Sequence, residues 1–215
     1  EIRPYNDCEV PEVIGRMIAD NELIDLLLED LFSGAGKLLY PWLRPLLRAR
    51  LRYTSRKIVT VDMLQQHLAI RLKTILDQTT DGYSFSGLSG IENDKSYVFM
   101  SNHRDIALDP AITVLGLVES GRDSLRIAIG DNLLSKPFAS DLMRINRSFI
   151  VKRSVVARRE KLKALKILSN YIRQSVCNEG ISVWIAQAEG RAKDGRDRTE
   201  TALLKMLALS RSKDQ

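Results

Sequence analysis

The apolar positions of this chain change period part-way along it. Over residues 11–78 they recur at helical spacing, through PEVIGRMIADNELIDLLLEDLF, a basic segment, and VDMLQQHLAIRLKTILDQ. Pro41 and Pro45 fall in the basic segment and are expected to break or kink it, because proline lacks the amide a helix needs. The turn-rich stretch TTDGYSFSGLSG (79–90) then introduces a different pattern. Short strand-type runs, SYVFM (96–100), LRIAIG (125–130), SFIVK (148–152) and ISVWIA (181–186), alternate with helical segments. The helical segments run from Pro110 to about Glu119, over 131–143, over 155–177, and onward from about Thr199. Such alternation predicts an α/β fold: a mostly parallel central sheet covered by helices on both faces, with an N-terminal helical extension. The expected division is a helical region at 1–78 and an α/β domain at 79–215.

In parallel sheets ligands gather at the carboxyl ends of the strands. Here the first strand runs into Asn102-His103-Arg104-Asp105, and the third into Lys152-Arg153. The fourth runs into AQAEGRAKDGRDRT, holding Glu189, Gly190, Arg191, Lys193, Arg196 and Arg198. Asp109-Pro110 reads as a helix opening, with aspartate capping free amides and proline in the first turn. A histidine at a strand end with an acid one turn away has the parts of a positioned general base. The chain has only two histidines, and His67, within LQQHLAIRL, reads as a helix-surface residue. Arginine forks bind phosphate in bidentate fashion, and glycine lets the backbone approach it. No G-x-S-x-G nucleophile elbow is present, so the nucleophile is expected to be a substrate hydroxyl. The set suits deprotonation of the hydroxyl of a phosphorylated small molecule.

Charge narrows the partners. The net charge is +6, and Leu31 to Val61 carries no acidic residue. That stretch holds Lys37, Arg44, Arg48, Arg50, Arg52, Arg56 and Lys57, interleaved with Leu, Tyr and Trp. Residues 37–57 therefore fit an anionic membrane surface, or a helix packed on the domain with its arginines solvated. No stacking or finger motif supports nucleic acid. Arg158, Arg159, Lys161, Lys163 and Lys166 are either a solvated helix face or a contact for an anionic partner. Cys8 and Cys177 lie far apart without metal-ligand spacing, so neither a disulfide framework nor a metal site is expected. No run approaches the roughly 18 apolar residues of a spanning helix, so the expectation is a soluble or peripheral protein, the latter on the cytoplasmic face of a membrane.

SNHRDIALDPA (101–111) resembles the first motif of the glycerolipid acyltransferases, Asn-His followed at short distance by Asp. The lead-in FSGLSGIENDKSYVFMSNH is similar to that family's approach strand, INRSFIVKR (145–153) to its second motif, and WIAQAEGRAKDGRDR (184–198) to its Glu-Gly-x-Arg loop. The three lie in order over roughly 115 residues. The resemblance implies an O-acyltransferase of phospholipid biosynthesis with no resident cofactor. The donor would be acyl-CoA or acyl-carrier protein, and the acceptor glycerol 3-phosphate or its 1-acyl form, lysophosphatidate. It implies His103 as general base and Asp109 as the acid orienting it, as in a serine-hydrolase triad with the acceptor hydroxyl in place of serine. Arg153 and Arg191 would hold the phosphate, with Lys193 or Arg196 sharing it, and Glu189 and Gly190 would shape the loop. Asn102, Arg104 and Asp105 would support the site.

The departures define the open alternatives. Five residues separate His103 from Asp109, one more than the family's usual four, so either Asp109 or Asp105 partners the imidazole. The third loop reads Ala-Glu-Gly-Arg-Ala where Pro-Glu-Gly-Thr-Arg is commoner. A fourth, Val-Pro-containing motif is absent, so the expectation is either a fragment truncated before its last strand or strands or a remainder that is disordered or split off, and Glu1, not being methionine, leads us to expect more chain upstream. The competing function is a non-catalytic membrane- or lipid-binding module, or an acyltransferase for a non-phosphate lipid.

Overall fold

The computed structural model describes residues 2–32, 37–194 and 196–211. Residues 33–36 of the acid-free stretch, Gly195 of the Glu-Gly loop and the SKDQ terminus lie outside the described residues. Packing divides the chain into two compact units. One comprises Pro4–Leu68 with Leu133–Arg147, and the other holds the start of the chain, Ala69–Asn132 and everything from Ser148 onward.

The second unit contains a four-stranded sheet: β1 (Val98–Ser101), β2 (Arg126–Gly130), β3 (Ser148–Val151) and β4 (Val183–Ala186), in the order β1-β4-β2-β3. Every pairing is parallel, β1 to β4 from Val98↔Val183 to Ser101↔Ala186 and β2 to β3 from Ile127↔Ser148 to Gly130↔Val151. The interior position of β4 accounts for its uninterrupted apolar run, since a strand buried on both faces needs no polar alternate. Val183 and Ile185 face a core built with Phe149, Leu168, Ile172 and Met206, drawn from β3, α7 (Arg158–Arg173) and α8 (Thr201–Leu207). Trp184 points to the opposite face by the period-two rule and is equally buried. α5 (Leu108–Glu119) follows β1, and α7 follows β3, so the α/β alternation read from the sequence is realised.

The helical unit sharpens the reading of residues 11–78 in two places. The apolar run 11–32 is two helices, α1 (Val10–Ala19) and α2 (Asn21–Leu31), because Asp20 takes an extended conformation and its side chain caps α2 at the Leu23 amide (3.0 Å). α3 (Tyr40–Ser55) is not broken at Pro41, which sits in its first turn where no amide donor is needed, and it runs on through Pro45. α4 (Val61–Thr79) begins here, and α6 (Pro137–Ile145) packs with α1. Two small cores hold the unit: Val10, Val13, Val61 and Ile145, and Ile24, Leu28, Tyr40 and Leu47.

A buried carboxylate joins α6 to α1. Asp141 accepts a fork from Arg16 (3.1 and 2.9 Å) and the Tyr5 hydroxyl (2.7 Å). Burial and the Asp141 hydrogen bond push the Tyr5 hydroxyl pKa above its ordinary value. Asp141→Ala strips both donors of their acceptor, so chemical denaturation is expected to show a loss of about 1–3 kcal/mol.

Candidate active site

Parallel pairing brings the carboxyl ends of all four strands to one edge, and each end has a local reason for its shape. β1 still pairs at Ser101, whose carbonyl accepts the Gln187 amide (2.9 Å) and whose hydroxyl accepts Trp184 Nε1 (3.1 Å). Just past the sheet, the His103 carbonyl takes the Ala192 amide at 2.6 Å, fastening the histidine's backbone to the loop after β4. The imidazole meets the edge of the Trp184 ring, 6.2 Å between centroids.

Asp109 turns back beneath this histidine. Its Oδ2 lies 3.3 Å from His103 Nδ1 and also accepts the amides of Arg104 (2.6 Å) and Asp105 (3.0 Å). The two side chains are only 15% and 21% exposed. With Nδ1–H donating to the carboxylate, Nε2 keeps its lone pair and can accept a proton.

Asp105 does the work that the Asp109-Pro110 pair led us to expect of Asp109. α5 starts at Leu108 rather than at Pro110, and Asp105 Oδ1 accepts the amides of Ala107 and Leu108, both at 2.8 Å. The five residues between His103 and Asp109 thus form a capped turn, and both acids are fully used. The two backbone hydrogen bonds hold the Asp105 carboxyl below its ordinary pKa. Burial opposes this shift, and the Arg191 and His103 charges add to it.

The second and third strand ends lock together. Asp131 accepts the amides of Arg153 (3.0 Å) and Ser154 (3.3 Å) and the Ser154 hydroxyl (2.6 Å). Burial pushes the Asp131 carboxyl upward in pKa, but these hydrogen bonds outweigh it and the net shift is downward. A side chain at Gly130 would run into Asn132 Oδ1 and sit 3.2 Å from Cδ and Nε of Arg153. The Arg153 side chain therefore crosses a strand end that has to be bare.

The loop after β4 closes the edge. Glu200 ties both its ends, donating its amide to the Gln187 carbonyl (2.9 Å) and accepting the Glu189 amide on Oε1 (3.2 Å). Asn102 Nδ2 donates to Asp197. Gly190 lies at φ +81°, in the left-handed region that favours glycine. The loop and the end of β1 line a cleft of about 240 Å³ with Asn102, His103, Glu189, Gly190, Arg191, Arg196 and Arg198. Glu189 and Gly190 also border a hollow of about 480 Å³ that holds Asp131, Asn132, Arg153 and Ser154.

Most residues singled out from the sequence thus meet at one edge. Lys193 lies on the loop without lining either space, while Arg104 and Asp105 act through the turn. The loop-shaping expected of Glu189 falls to Glu200: the Glu189 carboxylate makes no hydrogen bond or ion pair among the described residues. Asp131, Ser154 and Glu200 were not expected. Asp131 carried a readable signal, as the first residue past β2, at the same edge as His103 and Arg153.

A family model described as Acyltransferase matches residues 83–206, more than half the chain and every strand end just described. The chain belongs to this family, the glycerolipid acyltransferases. No curated protein matches the sequence. The protein is accordingly an acyltransferase.

The Asp105 turn gives this acyltransferase a pH signature. A carboxyl held low in the folded chain stabilises it fully above the unfolded value, and that contribution is lost as pH falls through the folded value. The protection factors of the Ala107 and Leu108 amides are expected to be high at neutral pH and to fall once the pH drops below the ordinary carboxylate range. In Asp105→Ala those protection factors are expected to be low under both conditions.

Proposed function

We propose that the protein transfers a fatty acyl group from acyl-CoA or acyl-carrier protein to a hydroxyl of glycerol 3-phosphate or 1-acylglycerol 3-phosphate. The observation that carries this reading is a base at the same sheet edge as arginines whose side chains make no ion pair among the described residues. His103 backs onto Asp109, while the side chains of Arg153, Arg191, Arg196 and Arg198 make no ion pair or hydrogen bond among the described residues. Unneutralised guanidiniums beside a cleft favour an anionic substrate group, and phosphate matches their fork.

In this mechanism Nε2 of His103 takes the proton of the acceptor hydroxyl as its oxygen attacks the thioester carbonyl. The tetrahedral intermediate collapses with breakage of the C–S bond, and the imidazolium returns its proton to the departing sulfur. One ester and one thiol result from one alcohol and one thioester. Asp109 keeps the ring in the tautomer that exposes Nε2 and stabilises the imidazolium. Arg153 and Arg191 hold the phosphate, with Arg196 beside them, which sets the distance from the hydroxyl to the base.

Release of free thiol from a long-chain acyl-CoA, with each acceptor in turn, tests this directly. His103→Ala is expected to lower kcat by about 10²–10⁴-fold with the fold intact. Asp109→Asn is expected to lose a comparable factor, and Arg153→Ala to act mainly on the acceptor KM. An unchanged rate in His103→Ala would remove the histidine from the mechanism.

The same reading places the protein at a cytoplasmic membrane face, where a lipid acceptor resides. No helix among the described residues is long and apolar enough to cross a membrane, so contact would be peripheral. The helix α3 supports it with one exposed stripe. Tyr40, Leu43, Leu47 and Leu51 face the core, while Trp42 (81% exposed), Leu46 (68%) and Tyr53 (65%) line the outer side. Arg44 and Arg48 are not available to lipid. Arg44 forks onto Asp25 (2.8 and 2.7 Å), and Arg48 caps the carbonyls of Ile18 and Ala19. Arg50, Arg52 and Lys57 have no partner among the described residues, and Arg56 lies over the Tyr53 ring at 4.2 Å. Apolar side chains flanked by such cations suit an anionic interface. Trp42→Ser with Leu46→Ser is expected to reduce sedimentation with phosphatidylglycerol vesicles about tenfold or more, while Arg44→Gln changes stability instead.

A further inference from the structure

Asp131 and Ser154 meet beside Arg153, and no step of the acyl transfer uses either of them. The segment 152–157 lies between β3 and α7 and belongs to no strand or helix, so its amides lack the ladder partners that fix a chain. Asp131, one residue past the neighbouring strand β2, supplies acceptors. Its Oδ1 takes the Arg153 amide (3.0 Å), and its Oδ2 takes the Ser154 amide (3.3 Å) and hydroxyl (2.6 Å). Both oxygens are thereby occupied, and no ion pair joins Asp131 to the Arg153 guanidinium. Glu189 borders the same hollow and makes no ion pair with it either. On the other side, a Cβ at Gly130 would stand 3.2 Å from Arg153 Cδ and Nε. The backbone does not call for glycine there, since Gly130 is not at positive φ. The path of the arginine does.

We propose that Asp131 and Gly130 set the recognition of a phosphorylated acceptor. Asp131 is the positioning residue that fixes the backbone of Arg153, and Gly130 leaves the guanidinium its path to the acceptor phosphate. The proposal rests on the reading that Arg153 holds that phosphate. An acid bound to an arginine's own amide could fold onto the guanidinium and neutralise it. Asp131 cannot, because two amides and a hydroxyl hold its carboxylate. The arginine is thus placed by an acid and still keeps its charge for a ligand. Arginine has much rotamer freedom, and freezing it on binding costs affinity unless the order is in place beforehand. A tethered Cα and a side chain laid across bare backbone supply that order. A phosphate monoester, whose oxygens match the guanidinium fork, is the group that gains from it. An acceptor without phosphate gains nothing. The proton transfer at His103 draws on neither residue, so the effect falls on acceptor binding and not on the chemical step.

The test is acyl transfer from palmitoyl-CoA to glycerol 3-phosphate by the full chain, beside calorimetric titration with glycerol 3-phosphate alone. Asp131→Ala is expected to raise the acceptor KM and weaken binding about tenfold or more, with kcat and the KM for palmitoyl-CoA at the parent values. Asp131→Asn keeps an acceptor for the Arg153 amide and is expected to recover most of that loss. Gly130→Ala displaces the arginine without touching Asp131 and is expected to act on the same KM, which keeps the test open if Asp131→Ala does not fold. Added to Arg153→Ala, Asp131→Ala is expected to change nothing further, since its effect runs through the arginine. A parent-like acceptor KM in Asp131→Ala and Gly130→Ala, a loss spread over kcat and both KM values, or an additive loss on top of Arg153→Ala overturns the proposal. If Arg153→Ala weakens glycerol 3-phosphate and Asp131→Ala does not, the positioning fails and the phosphate role stands. If Arg153→Ala binds like the parent, the phosphate role falls and the proposal with it. Binding that depends on both residues, with no transfer from palmitoyl-CoA, leaves the positioning standing and removes that donor.

Discussion

The parallel pairing of β1 with β4 is the constraint on which the site depends. These strands are the first and last of the sheet in sequence, yet they are neighbours in space, matched from Val98↔Val183 to Ser101↔Ala186. Parallel alignment means both strands release the chain at the same edge, so the turn holding His103 and the loop holding Arg191 emerge side by side. Two backbone hydrogen bonds continue the ladder past its end, from Gln187 to Ser101 and from Ala192 to His103. A slip of one residue would turn Trp184 to the opposite face and withdraw the ring edge that the imidazole rests on.

Most of this was legible along the chain because the signals were local. Four short apolar runs between helical segments are enough to infer the sheet: three strands fall within them, and β1 runs one residue past its own to Ser101. The strand-end rule then gathers His103, Arg153 and the Glu-Gly loop before any contact is known. What was missed depended on which of two competing local roles a side chain would take. Asp20 could belong to a helix face or to a cap, and the cap wins because the orphan amides of α2 need an acceptor. Asp105 and Asp109 both stand near a helix start, and only the folded turn decides that one caps while the other faces the ring. Glu200 and Glu189 differ in a way no spacing reveals, since the tie forms across a loop.

The basic residues divide in the same manner. Arg16, Arg44 and Arg48 serve as struts, each holding carboxylates or helix-end carbonyls. Their charge is spent within the fold, so a count of arginines overstates what a partner would meet. Among the described residues, cations that make no ion pair are found at the strand ends, on the outer side of α3 and on α7.

The turn between His103 and Asp109 has a consequence for how such sites are recognised. Its five residues are held by Asp105 at one end and by Asp109 Oδ2 at the other, so the oxygen arrives at the ring although the chain path is longer by a residue. What the folded turn fixes here is the place of the carboxylate oxygen against the ring, whatever the count of residues leading to it. A text pattern written with a fixed gap would pass over this chain. A template of three atoms, the imidazole nitrogen, the carboxylate oxygen and the amide following the histidine, would retrieve it.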